Sequence, residues 1–241
     1  MAPSNWREFG LGLLLSLAYH HWTVTSARHC PTLPSDATDK VIRVGIILPF
    51  EGNYPWTVKI THPAIALAWD RVRRMNILNG YTFELMTRNS NCSDTLGPLA
   101  AIDLYINKSA HVFFGPACEY SAAPVARFSY FWGIPVLTGG ALVAAFQDKN
   151  EYRLLTRVQG VLAKGAEFTI KMLRHYNWKN IGLLYFDDKA PTNTKKRDYY
   201  FAVQAVFVEY KATYGRQPYN REFNYNPDFR DILTEVSHNA R

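Results

Sequence analysis

Two cysteines and a strand-to-helix corner are the residues of this sequence whose types and spacing could do chemistry. The segment His111–Arg127, HVFFGPACEYSAAPVAR, begins as a short buried strand and breaks at Gly115–Pro116. It continues into an Ala-rich helix that we expect to carry Pro124 in its first turn. A strand, a tight turn and a helix N-terminus form the kind of corner where ligands bind in open α/β sheets. The backbone N–H groups of residues 117–119 would suit an anion there.

Cys92 follows the second predicted strand and Cys118 follows the third, so both lie at the same end of a parallel sheet. Loops at that end can approach closely enough for a disulfide, while the alternative is two buried free thiols. Cys118 could also be the nucleophile of a flavodoxin-like thiol hydrolase, but it lacks a G-x-C-x-G elbow and a bond to Cys92 would disable it. Cys30 has no evident partner and is either unpaired or joined to another chain.

The elements that position this corner alternate between strands and helices. This βαβαβαβ order predicts a doubly wound parallel sheet, an α/β fold. The four predicted strands occupy residues 41–50, 82–88, 112–114 and 134–138. The first predicted helix begins at residues 61–63, with Pro63 in its first helical position. The second and third predicted helices cover residues 99–106 and 122–131.

A second unit follows a looser stretch in which residues 152–158 are predicted to form an extended crossing segment. We expect a first lobe at 41–150, a crossing at 151–164 and a partial second lobe at 165–241. In the second lobe a single strand without a partner is predicted between two helices, before the start of another helix. These elements are predicted at residues 165–175, 180–188, 195–214 and 228–236.

The N-terminus has the pattern of a secretory signal peptide. Residues 9–19, FGLGLLLSLAY, form a short apolar run after Arg7, and small residues follow at 25–27. We therefore expect a signal peptide at 1–27 and a flexible lead-in at 28–40, with a signal anchor as the alternative. Cleavage would deliver the chain to an oxidising compartment, where disulfides persist.

Composition and motifs argue against several function classes. The net charge of +7 is scattered over the chain, with short clusters at 71–74 and 195–197 that are typical of solvated helix ends and loops. We therefore expect no nucleic-acid partner. The sequence contains no P-loop, G-x-G-x-x-G or H-E-x-x-H motif, so no enzyme activity, metal or organic cofactor is predicted.

Three segments, LPFEGNYPW, GPACEYSAAPVARF and GALVAAFQDKNEYRLLTRV, closely resemble natriuretic peptide receptors and receptor guanylate cyclases. The resemblance runs over residues 41–189 and implies a type I periplasmic-binding-protein fold of two lobes around a cleft. It implies the extracellular part of a cell-surface receptor that binds a peptide hormone without catalysis and dimerises as the full-length protein. Any guanylate cyclase would belong to a cytoplasmic region outside this sequence. Capture of a small, amino-acid-type ligand between the lobes is the alternative.

The resemblance also implies particular site residues. It implies a disulfide between Cys92 and Cys118. It also implies a chloride ion beside this bridge, held by the Ser90 hydroxyl and the amides of Ala117 and Cys118. The alternative is that water fills this site and Ser90 caps a turn. The peptide contacts that it implies are acids, tyrosines and one arginine, which otherwise would be ordinary surface or core residues: Asp94, Tyr120, Arg127, Glu151, Tyr152, Tyr199 and Tyr200. Independently of the resemblance, Asn91 and Asn107 begin N-glycosylation sequons, and a cysteine in the middle position makes the first a poor one.

Overall fold

The structure is a computed structural model that describes residues 40–187 and 197–240. The predicted signal peptide, nearly all of the predicted lead-in and Cys30 lie outside the described residues. The first part of the chain contains β1 (Lys40–Leu48), α1 (Val58–Arg74), β2 (Tyr81–Asn89), α2 (Leu96–Ile106), β3 (Val112–Phe114), α3 (Glu119–Trp132), β4 (Val136–Thr138), a 3-10 turn (Ala144–Gln147) and β5 (Leu155–Arg157). We call it the first unit. The second unit contains α4 (Leu162–His175), β6 (Gly182–Phe186), α5 (Asp198–Tyr214), β7 (Tyr219–Phe223) and α6 (Phe229–Asn239).

The first unit is built on a parallel sheet with the strand order β2-β1-β3-β4-β5. The central strand β1 is buried on both faces from Val44 to Leu48, which is typical of a parallel strand covered by helices. Ile47 and Phe113 pack with α2 and α3, whereas Val44 and Ile46 pack with residues of α1 and β2. The predicted doubly wound parallel sheet is therefore confirmed.

Helix α1 begins earlier than the sequence predicts. The N–H of Val58 donates to the Pro49 carbonyl at 2.9 Å, and the Thr57 carbonyl accepts from the N–H of Thr61 at 3.0 Å. These bonds start the helix at Val58, so the prediction that Pro63 holds the first helical position is wrong: Pro63 lies in the second turn. The helix packs on the sheet through Trp69, whose ring stacks on Phe83 with the ring centroids 3.9 Å apart.

Helix α3 also begins earlier, at Glu119, with Cys118 as its N-cap. Pro124 therefore lies in the second turn, not in the first turn as predicted, because the Cys118 carbonyl already accepts the first helical hydrogen bonds, from the N–H groups of Ser121 and Ala122. Val125 and Ala126 are completely buried on the side of the helix that faces the sheet. Helix α3 thus carries the corner residues on a packed and rigid support.

Two short strands correct the predicted topology. Leu155–Arg157 joins the first sheet as β5, with Val136 opposite Leu155, so the sheet has five strands and the expectation of four is wrong. In the second unit β7 pairs in parallel with β6, from Gly182 opposite Tyr219 to Phe186 opposite Phe223, so β6 is not alone. Neither strand was predicted, because both are short and lack the apolar run that usually indicates a strand. Strand β5 has the sequence LTR, and β7 has the sequence YNREF.

The boundaries of the second unit differ slightly from the predictions. Helix α4 starts at Leu162 instead of residue 165, and α5 starts at Asp198, with residues 195–196 outside the described part of the chain. The division of the chain into two lobes and a crossing remains a prediction. In the described ranges, no helix is both long enough and apolar enough to traverse a bilayer.

Candidate ligand-binding site

A disulfide joins two loops at the carboxyl edge of the first sheet. Cys92 and Cys118 are bonded, with their Cα atoms 5.4 Å apart and a sequence separation of 26, and both are buried. The bond ties the loop after β2 to the N-terminus of α3. Because its sulfur is bonded, Cys118 is not available as a nucleophile, which removes the thiol-hydrolase alternative.

The corner after β3 is held from the other side by the end of β4. The Thr138 hydroxyl donates to the Pro116 carbonyl at 2.7 Å and accepts from the N–H of Gly140 at 3.0 Å. The N–H of Ala141 donates to the Ala117 carbonyl at 2.7 Å. Gly140 lies so close that a Cβ atom on it would stand 2.1 Å from the Ala117 oxygen. The backbone at Ala117 is therefore clamped between the disulfide and β4.

The three residues predicted to hold chloride lie at this corner. Ser90 is fully buried, and its hydroxyl accepts from the N–H of Cys92 at 3.4 Å. Among residues 40–187 and 197–240, no acceptor is found for the backbone N–H groups of Ala117 and Cys118. Two unpaired amides at the N-terminus of α3, beside a buried hydroxyl, make a donor set that fits a small anion.

A small cavity of about 60 Å³ lies beside the bridge, and the α5 residue Asp198 closes one side of it. Burial raises the pKa of Glu119, and the charge of Asp198 raises it further. The Glu119 carboxylate accepts from the N–H of Leu142 at 3.2 Å, whereas the buried indole N–H of Trp56 has no acceptor within the described residues. The space suits an ion or one or two waters. It is lined by Asn53, Tyr54, Pro55, Trp56, Cys92, Cys118, Glu119 and Asp198.

Three of the predicted peptide contacts form one network between α3 and the segment before β5. Arg127 donates from Nε to the Glu151 carboxylate at 2.5 Å and from Nη2 to the Tyr152 hydroxyl at 2.9 Å. Tyr152 is only 3% exposed, its ring packs against Phe146, and burial raises the pKa of its hydroxyl. The structure brings these three residues together, although Tyr152 offers little surface to a ligand.

Two further predicted contacts, Tyr120 and Tyr200, meet around an arginine that the sequence analysis did not single out. Arg197 donates to both carboxylate oxygens of Asp187, with Nε 2.7 Å from Oδ1, and its guanidinium carbon lies 4.0 Å from the Tyr200 ring centroid. It also donates to the Tyr120 hydroxyl at 3.4 Å. The hydrogen bonds to Asp187 raise the pKa of Arg197. The signal in the sequence was the basic run 195–197, which resembles an ordinary solvated cluster.

The remaining two predicted contacts, Asp94 and Tyr199, are exposed. Asp94 is exposed two residues after the bridge, where its carboxylate accepts from the Thr95 hydroxyl at 3.3 Å. Tyr199 is 66% exposed on the first turn of α5. The structure therefore offers Asp94 and Tyr199 to solvent but does not join them to one another by a hydrogen bond or ring contact within the described residues.

The two sequons differ in their surroundings. Asn107 is exposed at the C-terminus of α2, and its amide nitrogen donates to Asp103 at 2.8 Å. Asn91 is exposed with a φ of 46°, directly before the bridged Cys92. The hydroxyl of Ser93 in that sequon is buried and accepts from the N–H of Leu96 at the start of α2. The described residues contain no group of three or more His, Cys, Asp or Glu side chains suited to a metal ion.

Comparison with protein families identifies this arrangement. Residues 60–241 match the receptor family ligand binding region. The chain belongs to this family. In such receptors the ligand-binding region is non-catalytic.

The relatives of this ligand-binding region include natriuretic peptide receptors. The chain is 30% identical to atrial natriuretic peptide receptor 2 of Anguilla japonica over 212 residues, covering 84% of this chain and 20% of that receptor. It is 34% identical to atrial natriuretic peptide receptor 3 of Homo sapiens over 213 residues, covering 83% of this chain and 38% of that receptor. The chain thus spans about one fifth to two fifths of the length of these relatives.

Solved structures similar to this ligand-binding region are bacterial solute-binding proteins with the type I periplasmic-binding-protein fold. An ABC transporter substrate-binding protein from Desulfitobacterium hafniense has a TM-score of 0.62 at 15% identity, covering 82% of this chain and 55% of that one. A solute-binding protein from R. palustris in complex with 4-hydroxybenzoate has a TM-score of 0.58 at 14% identity, covering 83% and 51%. At such identities the likeness establishes the fold, which is the predicted one.

Proposed function

We propose that this chain is the extracellular peptide-hormone-binding region of a natriuretic-type cell-surface receptor. The observation that carries the proposal is the family match over residues 60–241, together with relatives that are named as natriuretic peptide receptors. Three exposed side chains support it, because Asp94, Arg127 and Tyr199 offer charge and rigid aromatic area to a peptide. Acidic side chains such as Asp94 and Glu151 suit a basic hormone.

The contacts divide into a direct and a supporting group. Asp94 and Tyr199 are exposed and would touch the peptide themselves. Tyr152 is buried, so it would act by fixing Arg127, whose guanidinium carbon lies 5.3 Å from the Tyr152 ring centroid. Glu151 pairs with Arg127 at the surface, where such a pair contributes little to stability and leaves both charges available to a ligand.

A second candidate function is capture of a small ligand between the two units, since a solute-binding protein of similar fold was solved in complex with 4-hydroxybenzoate. The cavity beside the bridge, at about 60 Å³, is several times smaller than the usual range for organic ligands. Its size therefore favours an ion over an aromatic acid at that position. Binding of 4-hydroxybenzoate or an amino acid, without binding of a basic peptide, would favour this second candidate.

Titration with basic natriuretic-type peptides tests the main proposal. The 241-residue chain is titrated with a basic peptide of this type and, as a control, with an acidic peptide of the same length. We expect at least about tenfold tighter binding of the basic peptide, because exposed acidic side chains such as Asp94 favour positive charge. Equal affinity for the two peptides would remove charge as the basis of recognition, and binding of neither would contradict peptide recognition.

Two variants locate the peptide site in that titration. Asp94→Asn removes an exposed charge beside the bridge and should weaken binding of a basic peptide about threefold to tenfold. Glu167→Gln is the matched control, because Glu167 pairs with Lys164 on the surface of α4 and is not among the proposed contacts. An equal loss in both variants would indicate a general charge effect instead of a site.

We also propose that chloride binds at the corner, held by the Ser90 hydroxyl and the amides of Ala117 and Cys118. The unpaired amides support this, and the neighbouring Glu119 opposes an anion less when it is protonated, which its raised pKa favours. Chloride should raise the thermal midpoint relative to a bulky anion at equal ionic strength. Ser90→Ala should abolish that difference; an unchanged difference would remove Ser90 from the site.

The cellular setting completes the proposal. The N-terminal pattern supports a signal peptide at 1–27, extracellular exposure and glycosylation at Asn107, with Asn91 the poorer acceptor. The full-length receptor would lie in the cell membrane as a homodimer. N-terminal sequencing of the secreted protein checks the cleavage site, and sedimentation of the secreted protein at rising concentration checks dimerisation.

A further inference from the structure

One arginine of the second unit makes a hydrogen bond to the first unit. Arg197 directly precedes α5, in the second unit, and its Nη1 donates to the hydroxyl of Tyr120 in the first turn of α3. The ring of Tyr120 also lies 5.9 Å from the ring of Phe201, one turn further along α5. Tyr120 in turn stands two residues after Cys118, the sulfur of which is bonded to Cys92.

Arg197 is held firmly by its own unit. Its Nε and Nη2 both donate to Asp187 at the end of β6, and the Asp187 side chain is only 1% exposed. The guanidinium also lies over the Tyr200 ring. A planar fork that is bound on two sides and stacked on a third has little freedom left. Residues of the second unit therefore fix the direction in which the remaining donor, Nη1, points.

We propose that Arg197 is a positioning residue, which fixes the second unit against the disulfide corner through the hydroxyl of Tyr120. The first unit supplies Tyr120 on a helix that the bridge anchors, and the second supplies a guanidinium that Asp187 immobilises. Each partner is rigid in its own unit, so the contact transmits relative position. A flexible lysine in place of Arg197 could carry the charge but could not keep the direction.

The contact has a consequence for ligand binding that rests on the proposed function. Tyr120 is one of the proposed peptide contacts, so the same hydroxyl would meet both the peptide and Arg197. A peptide that hydrogen-bonds to the Tyr120 hydroxyl would then alter the contact that holds the start of α5. Conversely, a shift of the second unit would alter the position of the Tyr120 hydroxyl. Binding at the first unit and the position of the second unit are coupled through one phenol.

Hydrogen exchange of the 241-residue chain without peptide tests the positioning role. The N–H of Phe201 donates to the Arg197 carbonyl at 2.9 Å and reports on the start of α5. Tyr120→Phe keeps the ring and removes only the hydroxyl. We expect exchange at Phe201 and the next turn to become about twofold to fivefold faster, while β1 and β2 keep wild-type rates.

Tyr130→Phe is the matched control. Its hydroxyl accepts from Arg153 at 3.2 Å, and the Arg153 guanidinium carbon lies 4.9 Å from the ring centroid, so the contact is of the same kind but stays inside the first unit. This variant should leave exchange in α5 unchanged. If Tyr120→Phe has no effect on α5, or if Tyr130→Phe accelerates α5 equally, the inference is wrong.

A double-variant comparison separates positioning from local stability. Arg197→Lys should accelerate exchange in α5, and adding Tyr120→Phe to it should change the α5 rates no further, because both remove the same contact. Full additivity of the two effects would contradict the inference. The measurement needs no peptide, so a failure here is distinguishable from a failure of peptide binding, which only the titration reports.

Discussion

Two adjacent glycines give a sharp test of how the corner is held. A Cβ atom on Gly140 would stand 2.1 Å from the Ala117 oxygen and 2.6 Å from its Cα, and both are backbone atoms that cannot swing aside. A Cβ atom on Gly139 would meet nothing within 4 Å. Gly140→Ala must therefore push the backbone of Ala117 away, whereas Gly139→Ala must not.

The cost of Gly140→Ala follows from what the displacement breaks. The buried hydrogen bond from the N–H of Ala141 to the Ala117 carbonyl, now 2.7 Å, would lengthen, as would the bond from Gly140 to the Thr138 hydroxyl. Overpacking of this kind typically costs 1–3 kcal/mol, and weakened buried hydrogen bonds add to it, so we expect about 3 kcal/mol. For a chain of this size that corresponds to roughly 6–12 °C in thermal midpoint.

Thermal unfolding followed by circular dichroism measures the difference. Gly139→Ala should melt within about 2 °C of the wild type. Gly140→Ala should melt much lower and should also lose the response to chloride, because the amide of Ala117 moves with its carbonyl. A Gly140→Ala protein as stable as the Gly139→Ala protein would refute the reasoning that this backbone contact fixes the corner.

Three further results are expected. Non-reducing peptide mapping should recover Cys92 linked to Cys118, and replacing both by serine should cost about 3.5 kcal/mol for the 26-residue separation; recovery of two free thiols would contradict the bridge. Burial raises the pKa of Glu119 above 4.5. Protonation of Glu119 in the folded state therefore contributes stability that is fully present below pH 4.5 and is lost as the pH rises through the raised pKa. Glu119→Gln should therefore flatten the pH dependence of the thermal midpoint in that window, and an unchanged profile would exclude Glu119 as its source. Mass spectrometry of the secreted protein should find glycan at Asn107, and Asn107→Gln should remove it; glycan at the other sequon alone would contradict this preference.

Much of the first unit could be predicted because its elements carry their own signals. The β-branched run of β1 and the apolar periodicity of α2 exist in the local sequence, and the pair Gly115–Pro116 marks a break after β3. The order of alternating strands and helices was then enough to predict the doubly wound parallel sheet. The start of α1 was not predictable from Pro63, because the bond from Val58 to the Pro49 carbonyl comes from another element.

The networks around the site could not be read from the sequence because they are tertiary. Arg127 and Glu151 are 24 residues apart and meet only because β4 places the segment before β5 beside α3. Arg197 and Tyr120 are 77 residues apart and belong to different units. Family resemblance supplied Tyr120, but a lone arginine in a basic run gave no sign of its partner Asp187.

The strand order of the first sheet has a consequence for the way in which this protein is made. From β1 the sheet grows towards β5 by one neighbouring strand at a time, in the order in which the ribosome delivers them. Each new helix can cover the strand that has just been added, so little apolar surface waits for distant partners. The thiols of Cys92 and Cys118 can meet once α3 has emerged, before α4 is synthesised. The corner can thus fold and become disulfide-bonded before the second unit has been synthesised. The second unit then packs against a corner that is already folded.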